Sequence, residues 1–289
     1  MKLTSPSDVK RLLREQGVRP SRYMGQNFLI DGNIQKIILH AARLDPHDKV
    51  VEIGPGLGVL TEPMLAKAGH VVAIEKEKVF CAFLQKRLSD APNFTLIESD
   101  VMDIDLSLLF AEQGTDKIVA NLPYGVGSRL LVDIANGPVR PPEMVLMLQL
   151  DVARRLNAGP GSKNYGFLSI RIQLDYEVEL LKTVNRTCFY PPPRVQSAIL
   201  RFSLREKPRA DVSDRCLLFR LLKCCFSKRR KQIGHILRSS ASELGLNSTQ
   251  LETALASASI RPETRPEEIS IPSWGSLANC LVNNKGTDQ

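Results

Sequence analysis

Short apolar runs alternate with segments of helical spacing along the first two thirds of the chain. The runs are Lys49–Ile53, His70–Glu75, Phe94–Glu98, Lys117–Ala120 and Glu143–Gln149, each of a length suited to a buried strand. Between them, Leu60–Ala68 and Val79–Leu88 space their apolar residues as helices do, and Ile34, Ile37, Ile38 and Ala41 share one helical face. Strands that are apolar throughout and separated by helices predict an α/β fold, a doubly wound and mostly parallel sheet. Tyr176–Val184 and Val195–Leu204 would complete its far edge. After Lys207-Pro208 the period changes. Leu217, Leu218, Leu221 and Leu222 recur at helical spacing, a basic helix follows at Phe226–Lys231, and Thr249–Ser257 precedes a Pro/Glu-rich end. The expected organisation is a sheet domain over residues 1–207 and a small all-helical domain over 208–289. A basic helix near Ser5–Gln16 opens the chain, with Ser5 and Asp8 spaced as a capping box.

Composition agrees with a globular fold: 289 residues, 43% hydrophobic and 24% charged. No stretch approaches the roughly 18 consecutive apolar residues that span a membrane, and the polar start lacks the apolar run of a secretory signal. A cytoplasmic protein with no membrane attachment is expected. The six cysteines show no CxxC spacing, so no metal site is expected and the thiols read as idle in a reducing compartment.

Charge changes the picture because it is segregated. Residues 201–240 hold twelve Lys/Arg against three acids, and residues 1–26 hold six against two. Residues 45–118 carry thirteen acids and seven bases. An acidic middle between basic ends points to a polyanion; membrane phosphates are one reading, but no strongly amphipathic aromatic helix accompanies the charge, which favours nucleic acid.

Directly after the first apolar run stands Val51-Glu52-Ile53-Gly54-Pro55-Gly56-Leu57-Gly58. Such glycines let the backbone turn tightly and approach a ligand. Twenty-one residues past Gly54, Glu75 ends the second run, where a carboxylate can accept from both hydroxyls of a ribose. A dinucleotide site shares both elements, but the glycine order here is GxGxG, not the GxGxxG that seats a diphosphate on a helix N-terminus. Glu52 would repel a diphosphate and attract an ammonium group, which favours S-adenosylmethionine. Asp100 closes the third run, where it can accept from an adenine amino group while the Val101 amide donates to the ring. Each acid alone also reads as a helix cap, but three of them ending successive strands beside a glycine loop favour a ligand site.

Asn121-Leu122-Pro123-Tyr124 follows the fourth run. A strand-ending turn is the simplest reading of Asn and Pro there. The tetrapeptide also supplies what methylation of an adenine amine needs. The amine's lone pair is delocalised into the ring, and acceptance of its two N–H bonds by the Asn121 side chain and the Leu122 carbonyl favours a pyramidal nitrogen. Tyr124 can stack on the base and stabilise the positive charge that develops. Methylation at cytosine carbon 5 needs a thiolate, and there is no Pro-Cys; zinc-dependent deamination needs HxE…CxxC, which is absent.

These motifs, with Gly25-Gln26-Asn27-Phe28-Leu29, Ala158–Gly166 and Phe189-Tyr190-Pro191-Pro192-Pro193-Arg194-Val195-Gln196-Ser197, occur in an order that closely resembles the bacterial small-subunit ribosomal RNA adenine dimethyltransferases. The resemblance covers residues 18–240. It implies a Rossmann-like class I methyltransferase sheet with a helical C-terminal domain. It also implies transfer of two methyl groups to N6 of each of two adjacent adenosines near the 3′ end of 16S rRNA, in an immature small subunit; a monomer is the default for an enzyme that docks on so large a particle. Gln26, Asn27, Leu29, Glu52, Gly54, Gly56, Glu75, Asp100, Val101 and Asn121 would hold the cofactor, and Tyr124 and Phe189 would sandwich the flipped adenine beside Leu122 and Pro123. Lys228, Arg229, Arg230 and Lys231, with Arg22, would contact rRNA.

Some positions depart from the family pattern: Gly125 stands where Asn is usual, Gly127 adds freedom where a helix should begin, Arg194 and Gln196 stand where Lys and Asp are common, and Gln149-Leu150-Asp151 replaces a more usual Gln-Lys-Glu. These touch the rigidity of the target pocket. Three alternatives remain open: a methyltransferase of large-subunit rRNA, an adenine methyltransferase of DNA, and a ribosome-assembly factor without catalysis.

Overall fold

In the computed structural model, which describes residues 2–20, 26–244 and 247–285, the apolar runs are strands with almost the expected limits. In chain order the strands are β1 (Phe28–Leu29), β2 (Lys49–Ile53), β3 (His70–Glu75), β4 (Phe94–Glu98), β5 (Lys117–Asn121), β6 (Glu143–Gln149), β7 (Tyr176–Val184), β8 (Phe189–Tyr190) and β9 (Ser197–Leu204). Seven of them form one sheet in the order β4-β3-β2-β5-β6-β9-β7. The pairs from β4 to β6 are parallel and β9 runs antiparallel to β6. The central strands are apolar on both faces because both are covered; Val50, Val71, Val119 and Val145 lie in one cluster with Ile34, Ile38 and Met64. β1 and β8 form a separate antiparallel pair, with Leu29 opposite Phe189 and Phe28 opposite Tyr190.

The helices before β7 are α1 (Pro6–Glu15), α2 (Gly32–Ala42), α3 (Thr61–Leu65), α4 (Lys78–Arg87), α5 (Leu106–Gln113), α6 (Gly127–Asn136), α7 (Leu150–Leu156) and α8 (Phe167–Gln173). Those after β9 are α9 (Arg215–Ser227), α10 (Ile233–Ser239), α11 (Ala241–Leu244), α12 (Ser248–Ser257) and α13 (Ile271–Lys285). Among the described residues no helix is long and apolar enough to cross a membrane. α1 begins where Ser5 Oγ accepts the Asp8 amide and Pro6 takes the first helical position. The second half of the expected capping box is absent, because the Asp8 carboxylate accepts the Lys2 amide instead.

The chain divides into two units, Met1–Ala153 with Glu177–Leu204 and Arg154–Tyr176 with Arg205–Gln289. The helical unit thus takes in a segment upstream of the 207/208 boundary expected from sequence. The cause is packing: Tyr165, Ile170 and Leu174 are buried with Leu217, Leu221, Ile236 and Trp274. Asp175, almost fully buried, accepts two hydrogen bonds from the Arg215 guanidinium at 2.7 and 2.8 Å, which ties the segment to α9.

Candidate cofactor and target-base site

Because β4, β3, β2 and β5 are parallel, their carboxyl ends lie along one rim of the sheet, and the chain's acids and turn residues gather there. Past Ile53 the backbone turns through Gly54, Gly56 and Gly58, with φ of 69°, 57° and 84°. Such angles strain any residue with a Cβ, and at Gly56 a Cβ would also stand 3.3 Å from the Phe28 ring. At this rim lies a cleft of about 990 Å³ lined by Gln26, Asn27, Leu29, Glu52, Gly54, Gly56, Glu75, Asp100, Val101, Asn121, Leu122, Pro123 and Tyr124. One cavity therefore collects the whole expected cofactor set and all the expected catalytic residues but Phe189.

Glu75, at the end of β3, is 6% exposed. One carboxylate oxygen accepts the Gly56 amide at 3.0 Å; the other accepts the Lys76 and Glu77 amides at 2.9 Å. Burial raises its pKa and the backbone bonds oppose that rise. A glycine-loop amide that would face a phosphate in a diphosphate site is thus already taken by a carboxylate. Asp100 does cap the turn after β4: its Oδ1 accepts the Met102 amide at 3.0 Å, while Oδ2 lies 3.8 Å from Lys76 Nζ. Capping and cleft-lining coexist in one side chain.

Glu52 corrects the sequence reading. It is 2% exposed, and Thr61 Oγ1 donates to it at 2.6 Å. Burial pushes its carboxyl up to about 8, with the nearby Glu75 charge adding to the rise. Near neutral pH the group is mostly protonated, so it does not act as the fixed negative charge expected of it. The fit to an adenosyl sulfonium compound rests instead on the Glu75 and Asp100 carboxylates, the side-chain-free glycine turn and apolar walls from Leu57, Ile74 and Val101.

At the other end of the cleft, Asn121 ends β5. Its Nδ2 donates to the Asn27 carbonyl at 3.2 Å, which commits the nitrogen and leaves the side-chain oxygen to accept from a target. Tyr124 is half-buried, and its hydroxyl shares a 2.7 Å hydrogen bond with Ser197 Oγ. Burial holds the phenol above its ordinary pKa. The ring therefore stays neutral across physiological pH.

Phe189 is not in the cleft. It is 2% exposed and packs with Leu29, Val145, Met147 and Ile199 in the core. Paired with Leu29 across the β1–β8 ladder, it packs into the core, and the structure does not bring it to the cleft with the other residues expected there. Phe28 and Phe80 are the phenylalanines that line the cleft beside Tyr124.

The basic helix is also corrected. α9 stops at Ser227, whose Oγ donates back to the Cys224 carbonyl at 2.7 Å, and Lys228–Lys231 form the turn into α10. Lys228 Nζ donates to Ser239 and Ser240 at 3.3 Å each, and Arg229 pairs with Glu267 at 3.5 Å. Arg230 and Lys231 are exposed. Arg22 lies outside the described residues.

Sequence reasoning missed Phe28, Lys76, Gln149 and the Pro193–Val195 wall of the cleft, along with Leu3 and Val9 around α1. A signal existed only for the wall, in the unusual Pro-Pro-Pro-Arg-Val-Gln-Ser run.

Comparison with known proteins agrees with this geometry. Residues 19–282 match the family model described as ribosomal RNA adenine dimethylase. The chain is 38% identical over 287 residues to ribosomal RNA small subunit methyltransferase A of Moorella thermoacetica, covering 96% of this chain and 98% of that protein. The protein of the same name from Bacillus thuringiensis is 36% identical over 287 residues, with 98% of each covered. Among solved structures, a dimethyladenosine transferase from Plasmodium falciparum superposes with a TM-score of 0.76 at 25% identity, covering 89% of this chain and 98% of that one. The 23S rRNA methyltransferase ErmE shares the fold, with a TM-score of 0.67, 23% identity and coverage of 89% and 100%.

Proposed function

This chain belongs to the ribosomal RNA adenine dimethylase family, and we propose that it dimethylates N6 of two adjacent adenosines in the 3′-terminal hairpin loop of 16S rRNA. It is an S-adenosylmethionine-dependent methyltransferase acting on ribosomal RNA. Its substrate is the small subunit during assembly in the cytoplasm, and it works as a monomer. The observation that carries the reading is the single cleft at the sheet rim in which Glu75, Asp100, Asn121 and Tyr124 meet.

When bound, S-adenosylmethionine supplies an electrophilic methyl group on a sulfonium centre. Glu75 accepts from the ribose hydroxyls, held in place by its three backbone amides. Asp100 accepts from the adenine amino group and the Val101 amide donates to the ring. Gln26, Asn27, Leu29 and Gly54 border the methionine end. A cation entering beside Glu52 favours its anion, since its high pKa reflects burial without a positive partner.

On the target side, Asn121 and the Leu122 carbonyl accept the two N–H bonds of a flipped adenine, and Pro123 packs beside it. Tyr124 stacks on the ring. Flipping costs a few kcal/mol, less in an already single-stranded loop, and stacking at about 1–3 kcal/mol per base offsets it. No side chain need remove a proton before attack; the proton leaves after the methyl has arrived. Arg230 and Lys231, exposed in the α9–α10 turn, contact rRNA phosphates.

The test is transfer from labelled cofactor to under-methylated small subunits, read by mass spectrometry of digested RNA. N6,N6-dimethyladenosine near the 3′ end of 16S rRNA is expected. Label confined to large-subunit RNA, or none at all, overturns the proposal.

A further inference from the structure

The Pro-Pro-Pro-Arg-Val-Gln-Ser run reaches the cleft not through Phe189 but through its other end. Ser197 is the first residue of β9, and β9 runs antiparallel to β6, so its start lies at the rim where the parallel strands finish. There Ser197 stands opposite Gln149, itself a cleft residue. Its side chain is fully buried, and its hydroxyl lies 2.7 Å from that of Tyr124. We propose that Ser197 is a positioning residue that fixes the direction in which the Tyr124 ring projects toward the target base. This rests on the assignment of Tyr124 to base stacking.

The physical case is one of orientation. A tyrosine ring attached only at Cβ can swing about two torsions, and its terminal torsion is broad. Anchoring the hydroxyl on a buried β-strand restrains the first torsion and so fixes where the ring stands; the hydroxyl lies on the axis of the second torsion, so the plane is left to the base that meets it. Stacking and cation–π stabilisation both depend on where the ring stands, and misplacement of a reacting group by about 1 Å can cost a hundredfold in rate. The loop that carries Tyr124 needs such an anchor. Gly125 follows it in open space, with nothing within 4 Å of where a Cβ would stand, and adds no side chain to brace the loop. The hydroxyl also has no chemistry of its own here, because burial keeps the phenol protonated and it faces the strand.

Ser197→Ala, Tyr124→Phe and the double variant, assayed on under-methylated small subunits, test this. Ser197→Ala is expected to lower kcat roughly 3- to 10-fold, the worth of one neutral hydrogen bond, with little change in KM for RNA. Cofactor affinity by calorimetry should be unchanged. Tyr124→Phe keeps the ring but loses the anchor and should lose the same factor; the double variant should be no slower than either single one. Ser197→Thr, which keeps the hydroxyl, should recover at least half of the wild-type rate. If Ser197→Ala slows the Tyr124→Phe enzyme as much as it slows the wild type, Ser197 acts through the strand and the proposal fails. Unchanged kcat in Ser197→Ala overturns it as well. If the wild-type enzyme leaves small-subunit adenosine unmethylated, the failure lies instead in the assigned function.

Discussion

Replacing Glu52 with Gln should make the protein more stable, and by an amount that grows with pH. The Glu52 carboxyl is 2% exposed, has one hydrogen bond from Thr61, and has its pKa raised from 4.5 to about 8 by burial. Below about pH 4.5 the group is protonated in folded and unfolded chains alike and contributes no difference. Between there and about 8 the unfolded chain has released the proton and the folded chain still holds it, so stability falls as pH rises. At 1.36 kcal/mol per factor of ten in proton affinity, the loss amounts to about 1 kcal/mol at pH 5 and about 4 kcal/mol at pH 8. Gln accepts the Thr61 hydroxyl as the carboxyl does and carries no titrating proton. Its extra N–H imposes a cost that does not vary with pH. Urea titrations of both proteins at pH 5 and pH 8, without cofactor, isolate the titrating part: the advantage of Glu52→Gln should be about 3 kcal/mol larger at pH 8. An advantage equal at the two pH values to within about 0.5 kcal/mol would refute a buried, neutral Glu52.

Three further outcomes are expected. Asn121→Ala should bind rRNA and cofactor as the wild type does yet lose at least a hundredfold in kcat, measured by single-turnover transfer; unchanged turnover removes Asn121 from the reaction. Glu75→Ala should weaken S-adenosylhomocysteine binding in calorimetry by roughly tenfold or more, through loss of a nearly buried acceptor for the ribose. Replacing Arg230 and Lys231 together by Ala should reduce the log–log slope of rRNA affinity against salt by about 1.5, whereas two cations that touch no phosphate would leave it unchanged.

The strands were legible because parallel strands buried on both faces must be apolar throughout, and short apolar runs with acids at their ends are hard to read otherwise. Five of the seven limits in the large sheet match the structure to the residue, and β5 and β9 differ from expectation by one and two residues. The β1–β8 pair was not legible. Two residues per strand show no period, and the partners lie some 160 residues apart. Nothing in the Phe-Tyr-Pro run shows that its two aromatics pack into different clusters, Phe189 with Leu29 and Ile199 and Tyr190 against Val9, Leu12 and Leu13. The acids were legible as a group but not in their ionisation, since the sequence shows that Glu52 stands near the end of a strand and not that it is buried against Thr61. The α9–α10 turn was hidden for a local reason. Four successive cations read as a helix face until Ser227 is seen to bond back to the Cys224 carbonyl.

The central claim is that cofactor and target amine meet in one cleft at the carboxyl rim of the sheet. A crystal structure of the protein with S-adenosylhomocysteine tests it most directly. The account predicts density with the ribose on Glu75, the adenine beside Asp100 and Val101, and the sulfur facing Asn121. Density lying away from the Gly54–Gly58 turn would contradict it.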